Sequence, residues 1–343
     1  MMDSLISDSS PPPPPDFDPE PSGAPSRWWV LPLRVVVSVA LLAFLATRIQ
    51  DFEAGHFLPE WSSDNGRWLA AATGLTFTAF VMAALRWQQV LASLDRPARL
   101  WRLVSHTLAG QFISNVLPTT IGGDVLRVRR LARDNGDPHT SFASVILERL
   151  TGWVVLPLFI LVGLGVNSGF RGLGWPTRLA ALTAVVTLVT LAGIFVLGAN
   201  EALGRRLVHG RGWQRSLNAV HLGIVRIRNH PTAPISILLA GAAYQGVLIL
   251  AAFSAARALD IDEAGLTFML AFFPAVLILQ VLPVGIGGLG IRETTLVIFL
   301  SPLGVEDERA IAFGLTLHLL TLVTSIVGAP LLALGGRARE GSM

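Results

Sequence analysis

The 343-residue chain has no cysteine, no lysine and a single tyrosine. Without cysteine there is no disulfide, no thiolate-bound metal and no cysteine nucleophile. Without lysine there is no P-loop of the usual kind, whose lysine reaches the β- and γ-phosphates, so no standard ATP-hydrolysing motor is expected within the chain. All 26 basic residues are arginine, a bias that a GC-rich genome would produce. Charge is scarce as well, at 14% of residues against roughly 25% in soluble domains. There is no paired-aspartate loop motif, no His–Asp acyltransferase pattern and no evident serine nucleophile. No catalytic residue, metal or cofactor is expected.

Apolar residues fill the space instead, with 52% of the chain hydrophobic and a mean hydropathy of +0.59. Apolar runs occupy 30–47, 69–85, 150–166, 178–199, 234–256 and 310–334. Each is near or above the roughly 17–25 residues that a membrane-spanning helix needs. They predict an all-α, polytopic integral membrane helix bundle with about six full spans. Residues 1–27 differ: the stretch "SSPPPPPDFDPEPSGAPS" is proline-rich, acidic and without a periodic apolar face, so a disordered tail is expected. It lacks the basic start and immediate apolar stretch of a signal peptide. Residues 28–336 then form one transmembrane domain, and 337–343 a short cytoplasmic tail.

Arginine sets the orientation, because cytoplasmic loops hold the excess of basic residues. Loop 86–102 carries Arg86, Arg96, Arg99 and Arg102, and segment 127–140 carries Arg127, Arg129, Arg130 and Arg133. Segment 200–233 carries six more, and Arg27, Arg337 and Arg339 flank the domain. The intervening loops are acidic, with Asp51, Glu53, Glu60 and Asp64 in one, Asp260, Asp262 and Glu263 in another, and Glu306, Asp307 and Glu308 in a third. Both termini are therefore expected on the cytoplasmic side of the plasma membrane. Two consecutive inside segments leave only residues 103–126 to enter the membrane and return, too few for two spans of about 20 residues each. A re-entrant hairpin is expected there, and a second, entering from the other face, over 265–302.

Each expected hairpin carries a copy of one motif. "LPTTIGGDVLR" at 117–127 recurs as "LPVGIGGLGIR" at 282–292. Pro118 and Pro283 break a helix. Gly122, Gly123, Gly287 and Gly288 let backbone or ligand approach closely. Gly/Pro-interrupted segments in opposed orientation mark an inverted repeat and a transporter-type site near the midplane. Asp124 suits the N-cap of the run 125–133. The free amides of such a half-helix, together with Arg127 and Arg130 on one face, favour an anion such as phosphate. A structural Asp124–Arg127 pair is the plain alternative. Asn115 and its counterpart Gln280 add amides at membrane depth, suited to a wet path or to interhelical hydrogen bonds. "ILERLTGW" and "GIRE" place Glu148, Arg149, Arg292 and Glu293 among apolar neighbours. Charges there should face the bundle interior and pair. One polar network between the hairpins, acting as a gate or charge relay, is expected. Tyr244, Gln245 and His318 rank lower, and the basic stretch 201–230 suits anionic lipid or solvent.

In order and spacing, "SNVLPTTIGGDVLR", "SVILERLTGW" and "LPVGIGGLGIRE" resemble the flippase-like membrane domain shared with lysylphosphatidylglycerol synthases, over about residues 30–335. The resemblance implies re-entrant helices and movement of phospholipid or lipid-linked head groups between leaflets. Synthase members add a cytoplasmic domain that joins an aminoacyl group to lipid. Such a domain is not expected here, where the sequence ends at Met343. Translocation of an anionic phospholipid or lipid-linked head group is thus the expected function. The alternative is an integral membrane enzyme or accessory subunit of polyprenyl-linked sugar or glycolipid metabolism. The expected partners are membrane lipid and either a second copy of the chain or a separate lipid-modifying enzyme, with no nucleic acid.

Overall fold

The computed structural model describes residues 62–116, 122–200, 213–281 and 288–337. The tail 1–27, the run 30–47, Pro118, Pro283, Gly287, residues 201–212 and residues 338–343 lie outside the described residues. Among the described residues there are eleven α-helices, two short 3-10 segments and no strand. In chain order the helices are α1 Ser63–Ser93, α2 Leu100–Val116, α3 Gly122–Asn135, α4 Pro138–Val166, α5 Trp175–Gly198 and α6 Trp213–Asn229. They continue with α7 Ala233–Ala258, α8 Leu266–Leu279, α9 Ile291–Leu300, α10 Asp307–Ser325 and α11 Gly328–Arg337.

Four of these, α1, α4, α5 and α7, are long and apolar enough to cross a membrane, and they contain the runs at 69–85, 150–166, 178–199 and 234–256. α1 starts on a capping box: the Asn65 amide donates to Ser62 Oγ at 3.2 Å and the Ser62 amide to Asn65 Oδ1 at 3.3 Å. Asn65 Nδ2 also donates to the Ala258 carbonyl at 3.1 Å. The start of α1 is thereby tied to the end of α7, and the two run antiparallel. Buried alanines such as Ala72, Ala79, Ala252 and Ala255 let this pair approach closely, as small residues do between membrane helices. α5 turns apolar residues outward: Val185, Val186, Val189, Val196 and Leu197 are exposed. Such a surface calls for an apolar solvent, the bilayer.

The run 310–334 is not one straight span. It divides into α10 and α11 at Ile326–Val327. A Cβ at Gly328 would fall on the Leu108 carbonyl, so the glycine lets α11 turn onto α2, while Pro330 suits a new helix start rather than a continued one.

Two helical hairpins fill the interior. α2 and α3 form the first. Its feet meet the end of α1 and the start of α4, where Gln88 Nε2 donates to the Ala98 carbonyl at 2.8 Å and Asn135 Nδ2 to Ser141 Oγ at 3.1 Å. α8 and α9 form the second. Its feet lie by the end of α7, where Arg309 Nη2 on α10 donates to the Leu259 and Asp260 carbonyls, both at 3.0 Å, next to Ala258, which Asn65 ties to the start of α1. The hairpins therefore enter from opposite ends of α1, which at 1.5 Å per residue is about 46 Å long. Nine of the fourteen residues of α8 are buried, as a helix apolar on all sides requires. It rests against α4 where Gly163 meets the Ala271 backbone: a Cβ there would stand 2.6 Å from Ala271 Cα. Phe272 anchors this region, with ring centroids 5.3 Å from Phe170, 4.7 Å from Phe268 and 5.1 Å from Phe299.

Candidate functional site

The two legs of the first hairpin cross at a pair of glycines. A Cβ on Gly110 would stand 2.9 Å from the Gly123 carbonyl oxygen and 3.0 Å from Arg127 Cγ. A Cβ on Gly123 would fall on the Gly110 carbonyl and the Ser114 hydroxyl. This close crossing directs Arg127 off α3 into the bundle. There it joins an alternating ladder of charge: Arg86, Glu148, Arg127, Asp124, Arg149.

Arg86 Nε donates to Glu148 Oε1 at 2.9 Å, with Arg86 Nη2 on the same oxygen. Both terminal nitrogens of Arg127 donate to Glu148 Oε2, each at 3.2 Å. Asp124 then bridges Arg127, at 3.5 Å, and Arg149, at 2.5 Å. Glu148 is 2% exposed, Arg86 7% and Arg127 8%, so these pairs are shielded from water and salt. Aromatic faces close the sides: the Arg127 guanidinium lies 4.2 Å from the Trp87 ring centroid and that of Arg86 4.7 Å from Tyr244. Trp87 is itself held by Nε1 donating to Ser144 Oγ at 3.1 Å. Gly152, one turn beyond Glu148, leaves room for Arg86, whose guanidinium carbon would lie 2.6 Å from a Cβ there.

Three guanidinium groups in the ladder face two carboxylates; the buried part, Arg86, Glu148, Arg127 and Asp124, is balanced, and the surplus positive charge is that of Arg149, whose side chain is 41% exposed. Arg127 Nε is buried without a hydrogen-bond partner, and so is Gln245 Oε1 on α7. The ladder lies inside the bundle: Arg86 is seven residues before the end of α1 and Glu148 ten residues after the start of α4, about 10 and 15 Å by helical rise.

The second hairpin carries its own charge pair. Arg292 donates to Glu293 Oε1 from Nε at 3.1 Å and from Nη2 at 2.7 Å. The other carboxylate oxygen accepts the Gly290 amide at 2.7 Å, capping α9. Glu293 is fully buried, packed where α10 offers Gly314, whose Cβ would stand 2.9 Å from Glu293 Cγ.

Glu148, Arg149, Arg292 and Glu293 thus do not make one network. Hydrogen bonds among the described residues divide them between the ladder and the Arg292–Glu293 pair. The reason is local: Glu293 satisfies its own helix start and its neighbour's charge, while Glu148 takes its partners from α1 and α3. Asp124 is corrected too. α3 begins at Gly122, so Asp124 lies inside the first turn, and its carboxylate serves Arg127 and Arg149 rather than an N-cap. Arg130 points elsewhere, donating from Nη2 to the Leu331 carbonyl at 2.9 Å and to that of Leu332 at 3.3 Å; it fastens α11. Asn115 joins α2 to α10 through Nδ2, with Ser325 Oγ at 2.9 Å and the Thr321 carbonyl at 3.3 Å. Gln280 ends α8 against Gly288, whose φ is +79° and whose Cβ would stand 3.1 Å from Gln280 Cβ. Gly288 and Gly290 both adopt positive φ, which glycine allows without strain.

Sequence reasoning placed Arg86 in a loop. It lies inside α1, and the signal was present in its flanks: "FVMAALRWQQVL" keeps helical apolar spacing past the arginine. Gly110, Gly152 and Trp87 were not singled out either, since nothing local distinguishes them from packing residues.

The lysylphosphatidylglycerol synthase TM region family model matches residues 31–328. A UPF0104 membrane protein from Methanothermobacter thermautotrophicus is 25% identical over 177 residues, 49% of this chain and 50% of that protein. The chain thus covers half the length of this curated relative. The chain belongs to the lysylphosphatidylglycerol synthase TM region family, and it is a multi-pass, all-helical membrane protein.

Proposed function

We propose that the protein moves an anionic phospholipid or lipid-linked head group between the leaflets of the plasma membrane. The observation that carries this reading is the buried Arg127 Nε–H, without a hydrogen-bond partner at the crossing of the first hairpin, in a ladder whose surplus positive charge lies at its part-exposed Arg149 end. Leaving a buried donor unpaired is costly, and a phosphate oxygen would satisfy it while Arg149 adds the charge that attracts it. The terminal nitrogens of Arg127 hold Glu148, which leaves its Nε–H for a phosphate oxygen. The head group would pass this zone while the acyl or prenyl tails stay in lipid, because hairpins opposed across the bundle give each leaflet its own entry. Arg292 and Glu293 act as the counterpart gate on the second hairpin. Both termini are assigned to the cytoplasm, since Arg96, Arg99, Arg102 and Arg133 lie at the feet of the first hairpin, while Asp260, Asp262, Glu263, Glu306, Asp307 and Glu308 lie at the feet of the second. The role assigned is transport rather than catalysis.

Reconstitution tests this. Purified protein in vesicles should speed leaflet exchange of a labelled anionic phospholipid above that of protein-free vesicles. Arg127→Ala and Glu293→Gln should each slow it at least tenfold, about 1.4 kcal/mol of barrier. Exchange no faster than in empty vesicles, or unchanged in both folded variants, would sink the reading.

A further inference from the structure

A basic cavity opens at the feet of the first hairpin, apart from the ladder. It has a volume of about 530 Å³, and Arg96, Arg99, Arg102, Asp95 and Asp134 are among its lining residues. Both acids are engaged elsewhere: Asp134 with His106 at 2.9 Å and Asp95 with Arg226 at 3.2 Å. Arg96 is partnered by Asp137 at 3.6 Å. Among the described residues, Arg99 and Arg102 have no carboxylate within ion-pair distance; against them stands Asp134, whose partner is the His106 imidazole, so the cluster keeps one surplus positive charge.

The walls are fixed rather than loose. Gln88 holds the Ala98 carbonyl, and Arg226 Nη1 holds that of Leu94 at 3.0 Å. The Arg96 amide returns to the Leu91 carbonyl at 3.0 Å, and Asp95 takes a left-handed φ of +58°. α2 starts at Leu100, so the positive end of its dipole adds to the field of the arginines. Trp101, between the two unpaired arginines in sequence, is 74% exposed. A tryptophan beside arginines is the pattern of a membrane–water interface, where basic residues attract anionic head groups.

We propose that this cavity is a second anion site, which binds a phosphate group through Arg99 and Arg102. Its ligand chemistry is a phosphate carrying at least one negative charge, from a lipid in the adjacent leaflet or from a soluble phosphate. The site stands independently of the ladder and of the transport reading.

Native mass spectrometry of the full chain in detergent tests it, with phosphatidylglycerol and inorganic pyrophosphate as separate probes. Arg99→Gln/Arg102→Gln is the test variant; both side chains are on the surface, so folding should survive. Wild type should bind phosphatidylglycerol in two steps. The double variant should lose one step, about a tenfold or greater loss of affinity, and Arg127→Ala should lose only the other. Tail-brominated phosphatidylglycerol should quench the fluorescence of wild type more than that of Arg99→Gln/Arg102→Gln, and Trp101→Phe should remove that difference. If the double variant loses pyrophosphate instead, the site stands with a soluble phosphate as ligand. Equal binding of both probes by wild type and the double variant overturns the proposal, whatever Arg127→Ala does.

Discussion

Glu148 holds two guanidinium groups at once, one from α1 and one from α3, and this sets what its loss must cost. Glu148→Gln leaves Arg86 buried without a counter-charge and Arg127 with only the more distant Asp124, and breaking a buried pair from one side costs about 3–5 kcal/mol. A large fall in the thermal midpoint of the purified protein is expected. The double variant Arg86→Gln/Glu148→Gln should be less destabilised than the two single effects added, because residues in one network couple. Simple additivity would show that the ladder is not a unit. The carboxylates and Arg127 were legible in the sequence because a charge inside an apolar run has to find a partner. The identity of the partners was not. Arginine counting treats Arg86 as one more loop charge, and only the fold shows that α1 carries it seven residues inward from Ser93. Likewise, Glu293 pairs with its own neighbour and with the start of its own helix, a local solution that sequence spacing does not distinguish from a distant one.

Among the elements, the hairpins depend on glycine where two backbones touch. Gly123→Ala puts a Cβ on the Gly110 carbonyl, which cannot move without displacing α2, so this variant should lose monodisperse folded protein on size exclusion. Gly74→Ala is the contrast within α1. A Cβ there meets nothing within 4 Å, and a helix-interior glycine costs about 0.5–1 kcal/mol relative to alanine, so this variant should be as stable as wild type or slightly more. The start of α4 makes a pH prediction outside the membrane. Burial raises the Asp137 carboxyl, but hydrogen bonds from the Thr140 amide and hydroxyl, with Arg96 and His139 nearby, outweigh it and hold the group below its ordinary value of 3.8. Its stabilising contribution is therefore full above 3.8 and is lost as the pH falls through the lowered folded value. Asp137→Ala should cost about 1 kcal/mol near neutral pH, and the gap from wild type should close in strong acid. A gap unchanged at low pH would contradict the charged cap. The repeat at 117–127 and 282–292 made both hairpins legible, because broken helices too short to span leave few alternatives. Their depth of burial was not legible. That Gly163 and Gly110 mark close contacts follows from which helices are neighbours, a long-range fact.

For the whole molecule, composition and run length carried the membrane bundle, and among the described residues the run 310–334 departs from the expected single span. Its hydrophobicity is continuous while its backbone is not, since Gly328 and Pro330 turn the chain onto α2. The opposed hairpins, read from arginine asymmetry, reappear in contacts at the two ends of α1. The proposed transport rests at this scale on the ladder: its unpaired Arg127 Nε–H and the surplus charge at its Arg149 end should favour a negative head group over a neutral one. The most direct test is the ratio of leaflet-exchange rates for a labelled anionic phospholipid and a labelled zwitterionic one in the same vesicles. Wild type should favour the anionic lipid by about tenfold or more, the equivalent of roughly 1.4 kcal/mol, and Arg127→Gln should bring the ratio towards one. Equal rates for the two lipids in wild type, or a preference for the anion that survives Arg127→Gln, would contradict the account.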